Sequence, residues 1–231
     1  MLCPGRFLRR NGNKEEEKMK NNNRFTTAQL TLLGLMAAIL LLMAYTPLGY
    51  LNIGPLAVTF NVIPVAVCAI VLGPTGGAIA GAVFGLTSFM QAIGIGGVSA
   101  LGSALFQINP FMTAVQCFGP RILDGICIGF IYRAVHKKAN TYVSCAVTGF
   151  FSAFLNTLFF MTALIVMFGN TELIRNLMGG HNIIVGCCLM VGVNAISEMV
   201  SSTIITAAVG TALSKAHLIP AVQIVKTDTA A

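Results

Sequence analysis

Three ionisable side chains stand inside sequence that is otherwise almost free of charge: Arg121, Asp124 three residues later, and Glu198. Charged groups at membrane depth are costly and persist where they pair with one another or serve a ligand or ion. Arg121 offers a permanent positive charge with a planar fork of donors, a shape that suits a carboxylate. Uncharged hydrogen-bonding residues accompany the three: Asn109, Thr113 and Gln116 before Arg121, then Ser152 and Asn156, then Asn194, Ser197 and Ser201 around Glu198. Helical spacing puts Asn109, Thr113, Gln116 and Asp124 on one face, and Asn194, Ser197, Glu198 and Ser201 on another.

Two readings of this set stand side by side. In one, it is the polar floor of a cavity that opens outward, with Asn109, Thr113 and Gln116 along the wall. In the other, Arg121 pairs with Asp124 and Glu198 and simply locks helices together. Asn156 and Asn194 fit substrate contact or inter-helix hydrogen bonding equally. His181, at an outer helix end, either meets a ligand or caps at the surface, and Glu172 and Arg175 have the i,i+3 spacing of a local pair.

Catalytic and cofactor chemistry is not expected. No GxxxxGK[ST] phosphate loop is present, so GPTGGAIAG from Gly73 reads as a turn and a glycine stripe and the chain does not power transport with ATP itself. Neither HExxH nor GxSxG occurs. The seven Cys lie mostly in apolar runs without metal-ligand spacing, and read as small buried hydrophobes.

These residues need helices to hold them. Of the 231 residues 56% are hydrophobic and 9% charged, against about 25% charged in soluble domains. From Phe25 to Pro120 there is no Asp, Glu, Lys, Arg or His. Such a stretch cannot clothe a water-facing surface, but a bilayer makes apolar side chains the right exterior. Punctuation by Gly, Pro and charge predicts an all-α integral membrane protein with six transmembrane helices. They run at about Thr27 to Thr46, Asn61 to Leu72 (short), Gly76 to Ile93, Ile108 to Val135, Tyr142 to Phe168 and Asn182 to Ser214. At about 1.5 Å per residue, Arg121, Asn156 and Asn194 come to a common depth, with Asp124 and Glu198 about one turn further in.

Flanking charge orients the chain. With both termini cytoplasmic, the inner side collects Arg6, Arg9, Arg10, Lys14, Lys18, Lys20, Arg24, Arg133, Lys137, Lys138, Lys215 and Lys226, leaving only Arg121 and Arg175 of the 14 Lys and Arg. The net charge of +7 therefore reads as topology and gives no reason to expect a nucleic-acid partner. Residues 1–26 are expected to be a polar cytoplasmic leader without order, in which Met19 offers a second start. Residues 27–214 form the membrane domain and 215–231 a cytoplasmic tail. The outer loop from Leu48 to Phe60 is apolar with Gly49, Gly54 and Pro55, and is expected to fold back like a lid. The loop from Gly94 onward, GIGGVSALGSALFQ, is expected to be mobile. Gly77, Gly81 and Gly85 form a stripe for close packing within the bundle. Gly34 and Ala38 have the same small spacing and fit either the bundle or a separate membrane subunit.

Taken together, the pattern resembles the substrate-binding (S) components of energy-coupling factor transporters, which capture vitamins in bacteria and archaea. The resemblance spans about Thr27 to Ser214. It rests on the six-span layout, on IPVAVCAIVLGPTGGAIAGAVFGLTSF from Ile63, similar to the family's second and third helices, and on INPFMTAVQCFGPRILDGICIG from Ile108, similar to its fourth. It implies a chain in the plasma membrane of a prokaryote that binds one small molecule in the outer half, using loop 1 and helices 4 to 6. It also implies a membrane coupling protein (T component) and two cytoplasmic ATPases as partners, with delivery by toppling of the S component. The family's helix-1 docking motif, Ala-x-x-x-Ala, is matched here by Gly34 and Ala38, with Gly in the first place. Among the family's substrates pantothenate suits Arg121 and the surrounding amides and hydroxyls best, ahead of riboflavin, folate and cobalamin. The competing class is a proton-coupled secondary transporter titrating Asp124 and Glu198.

Overall fold

A computed structural model describes residues 27–46, 50–52, 57–96, 99–177 and 183–216. The expected leader, the tail beyond 216 and His181 lie outside them. The order of elements is α1 (Thr27–Tyr45), β1 (Tyr50–Asn52), β2 (Ala57–Thr59), α2 (Val62–Ile93), α3 (Ala100–Ile108), α4 (Pro110–His136), α5 (Thr141–Phe168), α6 (Glu172–Leu177) and α7 (Ile183–Lys215). The chain is a helical membrane protein apart from the small β1–β2 ribbon. Among the described residues, five helices are long and apolar enough to cross a bilayer. Large apolar side chains face outward, among them Phe111, Val166, Ile196 and Ile204, the reverse of a water-soluble surface.

Two of the expected spans are the arms of α2, which reverses at Gly73. There the backbone has φ 73° and ψ −163°, a region that glycine enters without the Cβ penalty, and Pro74 follows at the start of the second arm. The arms fold back on each other: a Cβ added at Gly77 would stand 3.0 Å from the Cβ of Ala69, although the two are eight residues apart. The 62–72 arm, about 16 Å long at 1.5 Å per residue, is too short to cross a bilayer about 30 Å thick. The long-apolar count is therefore five where the sequence predicted six. The 62–72 arm is wholly buried, while the 74–93 arm buries one face and exposes Ile79, Leu86 and Ile93 on the other, so the short arm is the centre of the bundle.

Contacts give the directions of the helices. Gln91 Nε2 donates to Ala44 O at 2.6 Å and Tyr45 Oη donates to Met90 Sδ at 3.2 Å, so α1 runs parallel to the 74–93 arm. At the other end, Leu32 shares a buried cluster with Ile70, Leu72, Tyr132 and Cys145, with Leu213 packed against it. The start of α1, the Gly73 turn, the end of α4 and the end of α7 thus lie at one end of the bundle, with Arg133, Lys137, Lys138 and Lys215. The β-ribbon, α3 and α6 lie at the other.

Several connections differ from expectation. Loop 1 is an antiparallel ribbon with Tyr50 opposite Thr59 and Asn52 opposite Ala57. The segment expected to be a mobile loop contains α3, started by Ser99, whose Oγ accepts from Gly102 N at 3.2 Å; an N-cap makes up for a Gly/Ser-rich first turn. The fourth span does not begin at Ile108, where α3 ends, but at Pro110. Asn109 Oδ1 accepts from Phe111 N at 3.1 Å and Met112 N at 3.2 Å, and Pro at the first helical position has no N–H to lose. The connection after α5 contains α6, anchored by the fully buried Ile174.

The glycine stripe is a helix interface. A Cβ at Gly77 would overlap Gly125 O, one at Gly81 would overlap Arg121 O, and one at Gly85 would come 2.9 Å from Cys117 O. On the facing helix, a Cβ at Gly125 would overlap Gly77 O and one at Gly129 would meet Pro74 Cα at 2.5 Å. The 74–93 arm and α4 therefore pack antiparallel, backbone on backbone. Gly81→Leu should lower the thermal midpoint of the detergent-purified protein severely or prevent folding. Gly119→Ala, at a site with open space around it, should shift stability by no more than about 1 kcal/mol.

Candidate functional site

The glycine interface fixes Arg121, whose carbonyl faces Gly81. The residue before it is Pro120, inside α4. Proline has no N–H and leaves the carbonyl four residues earlier without its helical partner. That carbonyl is Gln116 O, and Arg121 Nη1 reaches back to it at 3.5 Å and to Cys117 O at 3.1 Å. Nη2 donates to Ser88 Oγ at 2.8 Å, tying α4 to α2. The guanidinium carbon lies 4.6 Å from the centroid of the Phe84 ring and 5.5 Å from that of Phe160. A desolvated cation over an aromatic face is worth about 2 kcal/mol, which offsets part of the cost of burying it. Arg121 is 8% exposed, and its Nε has no hydrogen-bond partner.

The ion-pair reading finds only partial support. Asp124 is buried within reach of the Arg121 charge, yet the guanidinium gives its hydrogen bonds to two carbonyls and a hydroxyl, and Asp124 Oδ1 has no partner. Glu198 is buried on α7 and engaged in an interaction of its own.

The remaining predicted residues divide by role. Asn109 caps α4, which commits its carbonyl oxygen to the helix. Thr113 is buried and donates to Asn109 O at 2.9 Å. Gln116 is buried, and its Nε2 donates to Phe160 O at 2.9 Å, while Oε1 has no partner. Asn156 is half-buried on α5 and Asn194 buried on α7. Register brings these to a common level. Gln116 pairs with Phe160 across α4 and α5, and Gly149 faces Ser202 and Thr206 across α5 and α7. Antiparallel extension carries Asn156, Asn194 and Glu198 to within about one turn of the height of Arg121.

Sequence reasoning missed Ser88, Phe84 and Phe160. Their only signal is helical spacing, and an aromatic or a lone Ser in an apolar span looks like ordinary core. Among the cysteines, Cys68, Cys117 and Cys145 are buried free thiols.

Gly34 and Ala38 are exposed on α1, and a Cβ at Gly34 would meet nothing within 4 Å. Gly34 instead lines an apolar surface groove with Leu30, Ala37, Ile79 and Val83. The bundle does not use this small-residue pair.

The sequence resemblance implied an S component with a small-molecule site, and the comparison with known proteins bears on the family. Residues 28–210 match the family of ECF transporter substrate-specific components. The chain belongs to that family. It is an S component and a multi-pass membrane protein. Its relatives include the pantothenate transporter PanT of Leuconostoc mesenteroides, 33% identical over 205 residues, with 84% of this chain and 95% of the relative covered. The pantothenic acid transporter PanT of Lactococcus lactis subsp. cremoris is 27% identical over 203 residues, covering 82% and 95%.

Ser88 is the only side chain, among the described residues, to which this S component's Arg121 donates a hydrogen bond. Ser88→Ala should lower stability by about 1–3 kcal/mol, the range for a buried charged donor losing its acceptor, read as a fall in the thermal midpoint of the ligand-free protein.

Proposed function

We propose that this S component captures pantothenate from the outer face of the plasma membrane of a prokaryote and delivers it through a complex with a membrane coupling protein and two cytoplasmic ATPases. The observation that carries the reading is Arg121. It is a buried guanidinium within cation–π distance of Phe84 and Phe160, with its Nε unmet, and pantothenate is a small hydroxylated acid with one carboxylate. Arg121 takes the carboxylate, while Gln116, Asn156, Asn194 and Glu198 face the amide and hydroxyl groups. Thr113 and Asn109 support the wall, and His181 belongs to the outer rim. Both named relatives are pantothenate transporters, and the scarcity of broad stacking surfaces, with no Trp and four Tyr, disfavours riboflavin.

The basic end of the bundle faces the cytoplasm. Counting the two α2 arms separately gives six membrane-embedded helices and both termini inside, in keeping with the charge asymmetry. The open groove at Gly34, with Ala38 beside it on the exposed face of α1, is the docking surface for the coupling protein, because small residues let two helices approach closely.

Calorimetry on the purified chain with pantothenate, riboflavin, folate and cobalamin should show tight one-to-one binding of pantothenate alone. Arg121→Ala should weaken it by about 100-fold or more; unchanged affinity in a folded variant would return Arg121 to a helix-locking role. In liposomes, uptake should require ATP and the coupling complex, and uptake by the lone chain down a proton gradient would overturn the proposal. Gly34→Leu should keep vitamin binding while abolishing both assembly with the coupling protein and uptake.

A further inference from the structure

Asn61 is fully buried, and neither its Oδ1 nor its Nδ2 has a hydrogen-bond partner. It precedes α2 without capping it, since its side chain accepts no bond from the helix N-terminus. A buried carboxamide left unmet is expensive, and native proteins keep such groups where something arrives to satisfy them.

Its neighbours indicate what arrives. Only Phe60 lies between Asn61 and the end of β2 at Thr59, so Asn61 sits at the root of the β1–β2 ribbon. The next residue, Val62, accepts a hydrogen bond through its carbonyl from Ser152 Oγ at 3.3 Å, one helical turn before Asn156. Val62 and Ile63 share a buried cluster with Phe84, the ring that carries the Arg121 guanidinium. Asn61 is therefore at the height of Arg121 and Asn156, where Arg121 Nε and Gln116 Oε1 are also unmet. The unmet atoms are complementary: cation donor, amide acceptor, and in Asn61 one of each.

We infer that Asn61 is a further ligand-binding residue, one that pairs its carboxamide with an uncharged donor–acceptor group, an amide or a hydroxyl, of the same molecule whose carboxylate Arg121 holds. This rests on the vitamin-capture reading above. Arg121 selects for the acid, and Asn61 selects against acids that lack the amide or hydroxyl, because such ligands would leave the carboxamide unpaired.

The test uses the full-length protein in detergent, with calorimetry for pantothenate and thermal unfolding without ligand. Asn61→Leu, close to isosteric, should lose about tenfold or more in affinity, while the ligand-free midpoint stays level or rises because an unmet polar group is gone. Asn61→Asp should lose more, since a carboxylate cannot donate and repels an acid. Unchanged affinity in either folded variant overturns the inference. A lowered ligand-free midpoint with unchanged affinity does so too, and assigns Asn61 to a buried water that serves the fold. If Asn61→Leu does not fold, Asn61→Asp decides. Should the wild-type chain bind a different vitamin, the pantothenate reading fails by itself, and the two variants are judged with that vitamin.

Discussion

The structure depends on one contact, the backbone-to-backbone packing of the 74–93 arm of α2 against α4. Gly77 meets Gly125, Gly81 meets the Arg121 carbonyl and Gly85 meets Cys117. In a bilayer, lipid tails satisfy apolar side chains as well as a neighbouring helix does, so association needs close van der Waals fit, and glycine supplies it. The same contact sets the height and rotation of α4. Arg121 belongs to the interface through its backbone, so its side chain has little choice of direction: it runs along α2 to Ser88 and over Phe84.

Pro120 makes that placement consistent with its chemistry. Within a membrane helix an unpaired carbonyl is costly, and Pro120 produces one at Gln116. A guanidinium has donors to spare, and Arg121 is the next residue. The local defect thus gives the buried cation acceptors without a carboxylate, and leaves its Nε and aromatic-backed face for other use. A binding site for an anion benefits from a cation that is held but not neutralised. Asp124 is buried nearby, and its Oδ1 takes none of the guanidinium's hydrogen bonds.

Much of the fold was legible. Four long helices, the break at Gly73-Pro74, the packing role of the glycine stripe and the two ends of the bundle all follow from apolar length, punctuation and the placement of Lys and Arg. The connections were less legible. The ribbon at 50–59 and helix α3 are stabilised by pairing between strands and by an N-cap at Ser99, and such local hydrogen bonds leave little trace in an apolar, glycine-rich stretch. The site was legible as a list of polar residues. Asn109 was read as lying inside the fourth helix and is its N-cap, because helical spacing alone does not distinguish the residue before a helix from the first turn inside it. Asn61, with no charge and a position beside a loop, attracted no attention.

Sequence by itself determined that the chain lives in a bilayer, which end carries the basic residues, and which few side chains have chemistry to offer, because transfer of charge and apolar surface is a property of each residue and needs no partner. The tertiary structure alone decided which of those side chains are already satisfied. Thr113 and the Asn109 oxygen are spent on helix α4, while Arg121 Nε, Gln116 Oε1 and both polar atoms of Asn61 are not. A hydrogen bond joins two groups brought together by folding, so whether a polar group is met or waiting is a matter of register and distance that no single residue type encodes.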